Sequence, residues 1–110
     1  IAADYFSQAL IKRAPGEPQA RYGYALGLAG AASQIGDYGR AIDAYILAVE
    51  LAPNSNDTWR VEEAIATLYI QLEDYESAVT HALNATSKAP TEEGERLRNL
   101  VEQLQQLLEE

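Results

Sequence analysis

Residues 22–53 and 59–90 of this chain repeat one another at a constant offset of 37 positions. The offset carries Ala29 to Ala66, Gln34 to Gln71, Asp37 to Asp74, Tyr38 to Tyr75, Ala41 to Ala78, Ala48 to Ala85, Ala52 to Ala89 and Pro53 to Pro90 without change. It keeps chemical character from Leu28 to Ile65, Ile35 to Leu72, Ile42 to Val79, Ile46 to Leu83 and Tyr22 to Trp59. A unit of this size with helical patterning inside it cannot bury its own apolar face, so repeats stack and form a continuous core between them.

The apolar residues set the elements within each copy. Tyr24, Leu28, Ala31 and Ile35 are spaced 4, 3 and 4, one stripe of a helix, and Val61, Ile65, Leu68 and Leu72 repeat it. Short turns, Gly36-Asp37-Tyr38 and Glu73-Asp74-Tyr75, follow each stripe. Asp37 and Asp74 are placed to cap the next helix by accepting a backbone N–H, and their charge suits the helix dipole. Second helices are expected over 38–51 and 75–88, with Ala41 and Ala48, and Ala78 and Ala85, seven apart on one face where helices approach closely. Pro15, Pro53 and Pro90 each follow an alanine and end a helical run, because proline disfavours helix in the residue before it.

Beyond Pro90 the pattern changes. Thr91-Glu92-Glu93 is a helix start, and Leu97, Val101, Leu104 and Leu108 continue the 4-3-4 stripe opposite a polar face of Glu95, Arg98, Asn99, Glu102, Gln103, Gln105, Gln106 and Glu109. One apolar and one wet side are what a terminal cap requires. At the other end Ala2, Phe6 and Ala9 align with Ala41, Tyr45 and Ala48, so the chain begins halfway through a repeat. The expected organisation is one domain over 1–110: the second helix of a partial repeat at 1–15, repeats at 16–53 and 54–90, and a capping helix at 91–110.

Composition excludes several functions. With 17 acids against 8 bases the net charge is −9, which repels phosphate backbones and anionic lipids, and no basic stripe with interleaved aromatics offsets it. Nucleic acid is therefore not an expected partner, and a basic protein fits the charge better than an acidic one. The stronger reading of the two is that the acidity serves solubility alone. No cysteine is present, which removes disulfides, thiolate metal sites and cysteine nucleophiles. No apolar stretch is long enough to span a membrane, so membrane insertion by this domain is not expected; it reads as soluble, with the cytoplasm as default compartment. Methionine is absent, leading to the expectation of a domain cut from a longer protein.

The paired helices, the small–large–small spacing Ala41, Tyr45, Ala48, the turn Gly36-Asp37-Tyr38 and the closing Pro53 together resemble the tetratricopeptide repeat family. The resemblance covers nearly the whole chain. In the second copy Ala78, Ala82, Ala85 and Pro90 match, with Ala82 where a large aromatic is usual. The family's repeat is usually about 34 residues, so the spacing of 37 adds about one helical turn, expected between Trp59 and Leu72 in the first helix of the pair. The resemblance implies an all-α fold, a right-handed superhelical array of antiparallel helix pairs whose first helices line a concave groove. In this family that groove receives an extended peptide or a helix of another protein. Carried onto this chain, the groove face is Gly23, Leu26, Gly30, Ser33 and Gln34, then Arg60, Glu63, Thr67, Ile70 and Gln71. One subfamily clamps a terminal carboxylate with lysines and asparagines there; Leu26, Gly30, Glu63 and Thr67 occupy those places here, which rejects the clamp.

Four further groups have two readings each. Gly23, Gly27 and Gly30 recur on one helix, each costing about 0.8–1 kcal/mol relative to alanine, for close approach of either a ligand backbone or the preceding helix, with the helix favoured. Tyr22 and Trp59 serve as packing between repeats or as binding aromatics, and packing is favoured. His81, the only histidine, has no cysteine, carboxylate or second histidine at ligand spacing on its helix, so a surface or half-buried role outweighs a metal site. The pairs Glu62-Glu63 and Glu92-Glu93 read as first-turn charges rather than catalytic carboxylates, since adjacent residues point to different helix faces. No catalytic triad, phosphate loop or cofactor motif is visible, so no cofactor is expected and an enzyme is not. The leading expectation is a protein-interaction scaffold. The alternative is self-association through the helix over 1–14, whose Tyr5, Phe6, Leu10 and Ile11 seek cover.

Overall fold

In the computed structural model, backbone is described for residues 18–52 and 55–109, and side chains for 20–52 and 58–109. The helix expected over 1–14 lies outside them. The described chain is five α-helices: α1 Pro18–Gln34, α2 Tyr38–Leu51, α3 Ser55–Gln71, α4 Tyr75–Lys88 and α5 Thr91–Glu109. The sequence offset carries the bounds of α1 onto α3 and of α2 onto α4, residue for residue. First helices have 17 residues and second helices 14, so the longer member of each pair is the one in which the extra turn was expected.

The turns explain why the repeats break where they do. Gly36 has φ +80° and its copy Glu73 has φ +59°, both left-handed. The N–H of Asp37 donates to the Ala32 carbonyl at 2.9 Å and that of Gly36 to Ser33 at 3.1 Å; Asp74 to Tyr69 at 2.9 Å and Glu73 to Ile70 at 3.0 Å repeat the arrangement. These paired bonds satisfy the last carbonyls of α1 and α3 in a Schellman motif. The same aspartates then cap the next helix, Asp37 accepting from the Arg40 N–H at 3.4 Å and Asp74 from the Ser77 N–H at 3.2 Å. One residue thus closes one helix and opens the next, which leaves no room for a longer loop.

The chain divides into two compact units, 1–53 and 54–110. In the first, α1 packs on α2. Ala25 and Ala29 on α1, and Ala41 and Ala48 on α2, are fully buried, with Ile42, Ala44 and Leu47 beside them. The stripe Tyr24, Leu28, Ala31, Ile35 is not the buried face: Tyr24 and Ile35 are 55% and 77% exposed, Ala31 is exposed and Leu28 only half-buried. Among the described residues α1 has α2 as its one packing neighbour, and the alanines are the face turned to it.

In the second unit α4 packs on both α3 and α5. Its core has two layers. Trp59, Ala85 and Leu97 form one, and Ala66, Ala78, Ala82, Val101 and Leu104 the other, with Tyr69, Ile70, Tyr75, Val79 and Leu100 against it. The first layer joins the start of α3, the end of α4 and the start of α5; the second joins the end of α3, the start of α4 and the latter half of α5. The helices therefore run up, down and up. Ala82 belongs to the second layer, and Val101 and Leu104 of α5 supply the bulk around it. The stripe of α3 is buried at Val61, Ile65 and Leu68 but exposed at Leu72, and that of α5 is buried at Leu97, Val101 and Leu104 but exposed at Leu108. Full burial of side chains such as Ile65 and Leu97 contributes roughly 1.5–3 kcal/mol each.

Candidate functional site

The residues expected to line the groove fall on the first helices, α1 and α3, and are described unit by unit. On α1, Gly23 and Gln34 are exposed, and Leu26, Gly30 and Ser33 are half-buried. A β-carbon placed on Gly23, Gly27 or Gly30 would meet nothing within 4 Å. Among the described residues nothing packs closely on these positions, and the preceding helix, against which close packing was the favoured reading, lies outside the described residues. Gly23 and Gly27 are exposed and Gly30 is half-buried.

On α3, Arg60, Glu63, Thr67 and Gln71 follow at spacings of 3, 4 and 4, so helix geometry puts them on one face. Arg60, Thr67 and Gln71 are exposed, while Ile70, at the edge of this row, is half-buried against the second core layer. The Arg60 guanidinium lies 5.3 Å from the centre of the Trp59 ring, within cation–π range. The Thr67 hydroxyl donates to the carbonyl of Glu63 at 3.0 Å, which fixes its rotamer along the helix.

Glu63 has a partner that the sequence did not disclose. Arg96 of α5 reaches it with both terminal nitrogens, Nη1 to Oε2 at 2.5 Å and Nη2 to Oε1 at 3.0 Å. The same guanidinium takes Glu93, one turn back on α5, with Nε at 3.0 Å and Nη2 at 2.7 Å from Oε2. Hydrogen bonds to Glu63 and then Glu93 raise the Arg96 pKa above its ordinary value. Half-exposed, the group is a surface network and contributes little to stability, but it fixes geometry. It ties the row on α3 to α5 and extends the candidate surface onto Arg96. The available signal was the i, i+3 pair Glu93 and Arg96; the contact across 33 residues had none.

The adjacent Glu62 points the other way. It is 4% exposed, and its Oε1 accepts from His81 Nδ1 on α4 at 2.8 Å. The His81 ring stacks on Tyr69, centroids 5.5 Å apart. Glu62 and Glu63 thus face α4 and α5 respectively. They are not first-turn charges, because α3 starts at Ser55 and both lie in its middle; Glu92 and Glu93 do sit in the first turn of α5. Trp59 is a core residue beside Ala85 and Leu97, within its own unit. Tyr22 is half-buried.

Among the described residues no group of three metal-ligating side chains comes together, and no helix is long and apolar enough to cross a membrane. The surface can offer shape, a cation over an aromatic ring, carboxylate oxygens and amide and hydroxyl groups, which are the means of recognising polypeptide. In comparison with known proteins, the pattern of the tetratricopeptide repeat family matches residues 22–55, which take in most of α1, all of α2 and the start of α3. No curated protein and no solved structure matches the chain significantly.

Proposed function

We propose, on the premise that residues 22–55 carry a tetratricopeptide repeat, that this chain is a protein-interaction module. It receives a peptide or helix of a partner along the exposed faces of its first helices. Such repeats are generally protein–protein interaction modules, and the described residues form five helices, α1 packed on α2 in one unit and α4 on α3 and α5 in the other. The observation that carries the reading is the row Arg60, Glu63, Thr67 and Gln71, with Arg96 locked onto it from α5. A preorganised polar row of this kind meets a partner without paying to order its own side chains. The exposed Gly23 and Gly27 of α1 support the same reading, because residues without side chains let a partner backbone come close.

The test is capture of partners from the source organism's lysate by the parent chain and by the variant Arg60→Glu/Thr67→Glu. Both residues are exposed, so the variant keeps its helical circular dichroism. Proteins retained by the parent and lost by the folded variant support the row as the binding surface. Identical capture by both removes it.

A further inference from the structure

Counted from the first residue of each helix, α1, α3 and α5 share two faces. The eighth and twelfth residues meet the helix that follows: Ala25 and Ala29 of α1 turn to α2, and Glu62 and Ala66 of α3 meet His81, Ala78 and Ala82 of α4. At those positions α5 has Arg98 and Glu102, both exposed. The seventh, eleventh and fourteenth residues of α5 meet the helix before it, Leu97 beside Ala85 of α4, and Val101 and Leu104 beside Ala78 and Ala82. Their counterparts in α3, Val61, Ile65 and Leu68, are buried as well.

In α1 the same positions hold Tyr24, Leu28 and Ala31, and the described helices leave them open: Tyr24 is 55% exposed, Ala31 is exposed and Leu28 is half-buried. Where α5 leaves a face to water that face is charged, whereas the open face of α1 is apolar, the mark of an interaction surface. The cover that fits it is a helix of the form of α4, whose Ala78, Ala82 and Ala85 are spaced 4 and 3 apart. Residues 1–14, outside the described part, carry Ala2, Phe6 and Ala9 at those spacings and end at Ala14-Pro15, as the run of α4 ends at Ala89-Pro90. Only Gly16 and Glu17 then precede the start of α1, and links this short set neighbouring helices antiparallel.

We propose that residues 1–14 form a helix that covers the open face of α1 in the same chain, with Ala9 on Tyr24, and Ala2 and Phe6 on Leu28 and Ala31. Bulk is exchanged across the pair. Ala82 of α4 lies among Val101 and Leu104, while the larger Phe6 meets Leu28 and the small Ala31, so the volume between the helices is filled from the other side. The short link keeps the segment at high effective concentration beside its own α1, which favours this occupant over a second copy. The stripe is then inner surface, and a partner protein is left with the row on α3; either reading can fail without the other.

The chain has no cysteine, so a disulfide can be introduced cleanly. On oxidation the whole chain carrying Ala9→Cys/Tyr24→Cys closes into a monomer of faster mobility on a non-reducing gel, in a yield independent of protein concentration. The pair Ser7→Cys/Tyr24→Cys, with its first cysteine on another helix face, stays reduced. Trypsin supplies a second readout, because Lys12 and Arg13 are the only bases in residues 1–14. The parent is cut there slowly, and Tyr24→Asp/Ala31→Asp, folded by circular dichroism, is cut there at least about tenfold faster. Both substituted residues are exposed in the described chain, so without a covering segment the cutting rate does not change. Equal cutting, no monomeric disulfide in the first pair, or equal closure of both pairs overturns the proposal. A disulfide-linked dimer that grows with concentration overturns it too, because the cover then comes from a second copy.

Discussion

Glu73 occupies a place that its own copy gives to glycine. Gly36 and Glu73 are equivalent across the offset of 37 and both are left-handed, at φ +80° and +59°. A side chain in that region costs about 1–2 kcal/mol, and glycine's extra freedom in the unfolded chain returns about 0.5–1 kcal/mol of the gain. Glu73→Gly therefore stabilises by roughly 0.5–1 kcal/mol from backbone strain. It also removes an exposed negative charge from the carboxyl end of α3, where the dipole disfavours it by about 0.3–1 kcal/mol. Glu73→Gln removes the charge and keeps the strain, so the two contributions separate. Urea denaturation followed by far-UV circular dichroism is the assay, and the expected order of midpoints is parent, then Glu73→Gln, then Glu73→Gly. The glycine variant gains about 1 kcal/mol in all, several degrees in Tm for a domain of this size. Equal midpoints for the two variants would refute the strain argument, and a glycine variant less stable than the parent would refute both parts.

Two further outcomes follow from burial and open space. Replacing Gly27 by alanine, in the middle of α1 with nothing within 4 Å of the new methyl group, raises stability by about 0.8–1 kcal/mol from helix propensity; a loss in thermal denaturation would mean that something packs there. His81→Ala strips the 2.8 Å partner from a carboxylate that is 4% exposed and lowers stability by about 1–3 kcal/mol, with urea denaturation as the measure and an unchanged midpoint as the contrary result.

Much of the fold was legible because local chemistry and the repeat agree. Asp37 and Asp74 announced their caps, the turns their breaks, and the starts and ends of α2 and α4 coincide with the expected 38–51 and 75–88. The candidate surface was less legible. Helix spacing places Arg60, Glu63, Thr67 and Gln71 on one face, but periodicity says nothing of which helix lies opposite. The Arg96 contact to Glu63 and the Glu62 contact to His81 join residues 33 and 19 apart with no spacing rule between them.

Periodicity did not say which face is buried. Tyr24, Leu28, Ala31 and Ile35 have faultless helical spacing, yet α1 buries Ala25 and Ala29. Apolar and small residues surround that helix, so several stripes satisfy the spacing and only the neighbour decides between them. By itself the sequence determined the helices, their caps and their pairing in repeats, because these depend on contacts a few residues apart and on the constant offset. Tertiary structure decided which face each helix buries, and which carboxylate meets His81 and which meets Arg96, because those depend on how helices far apart in sequence lie side by side.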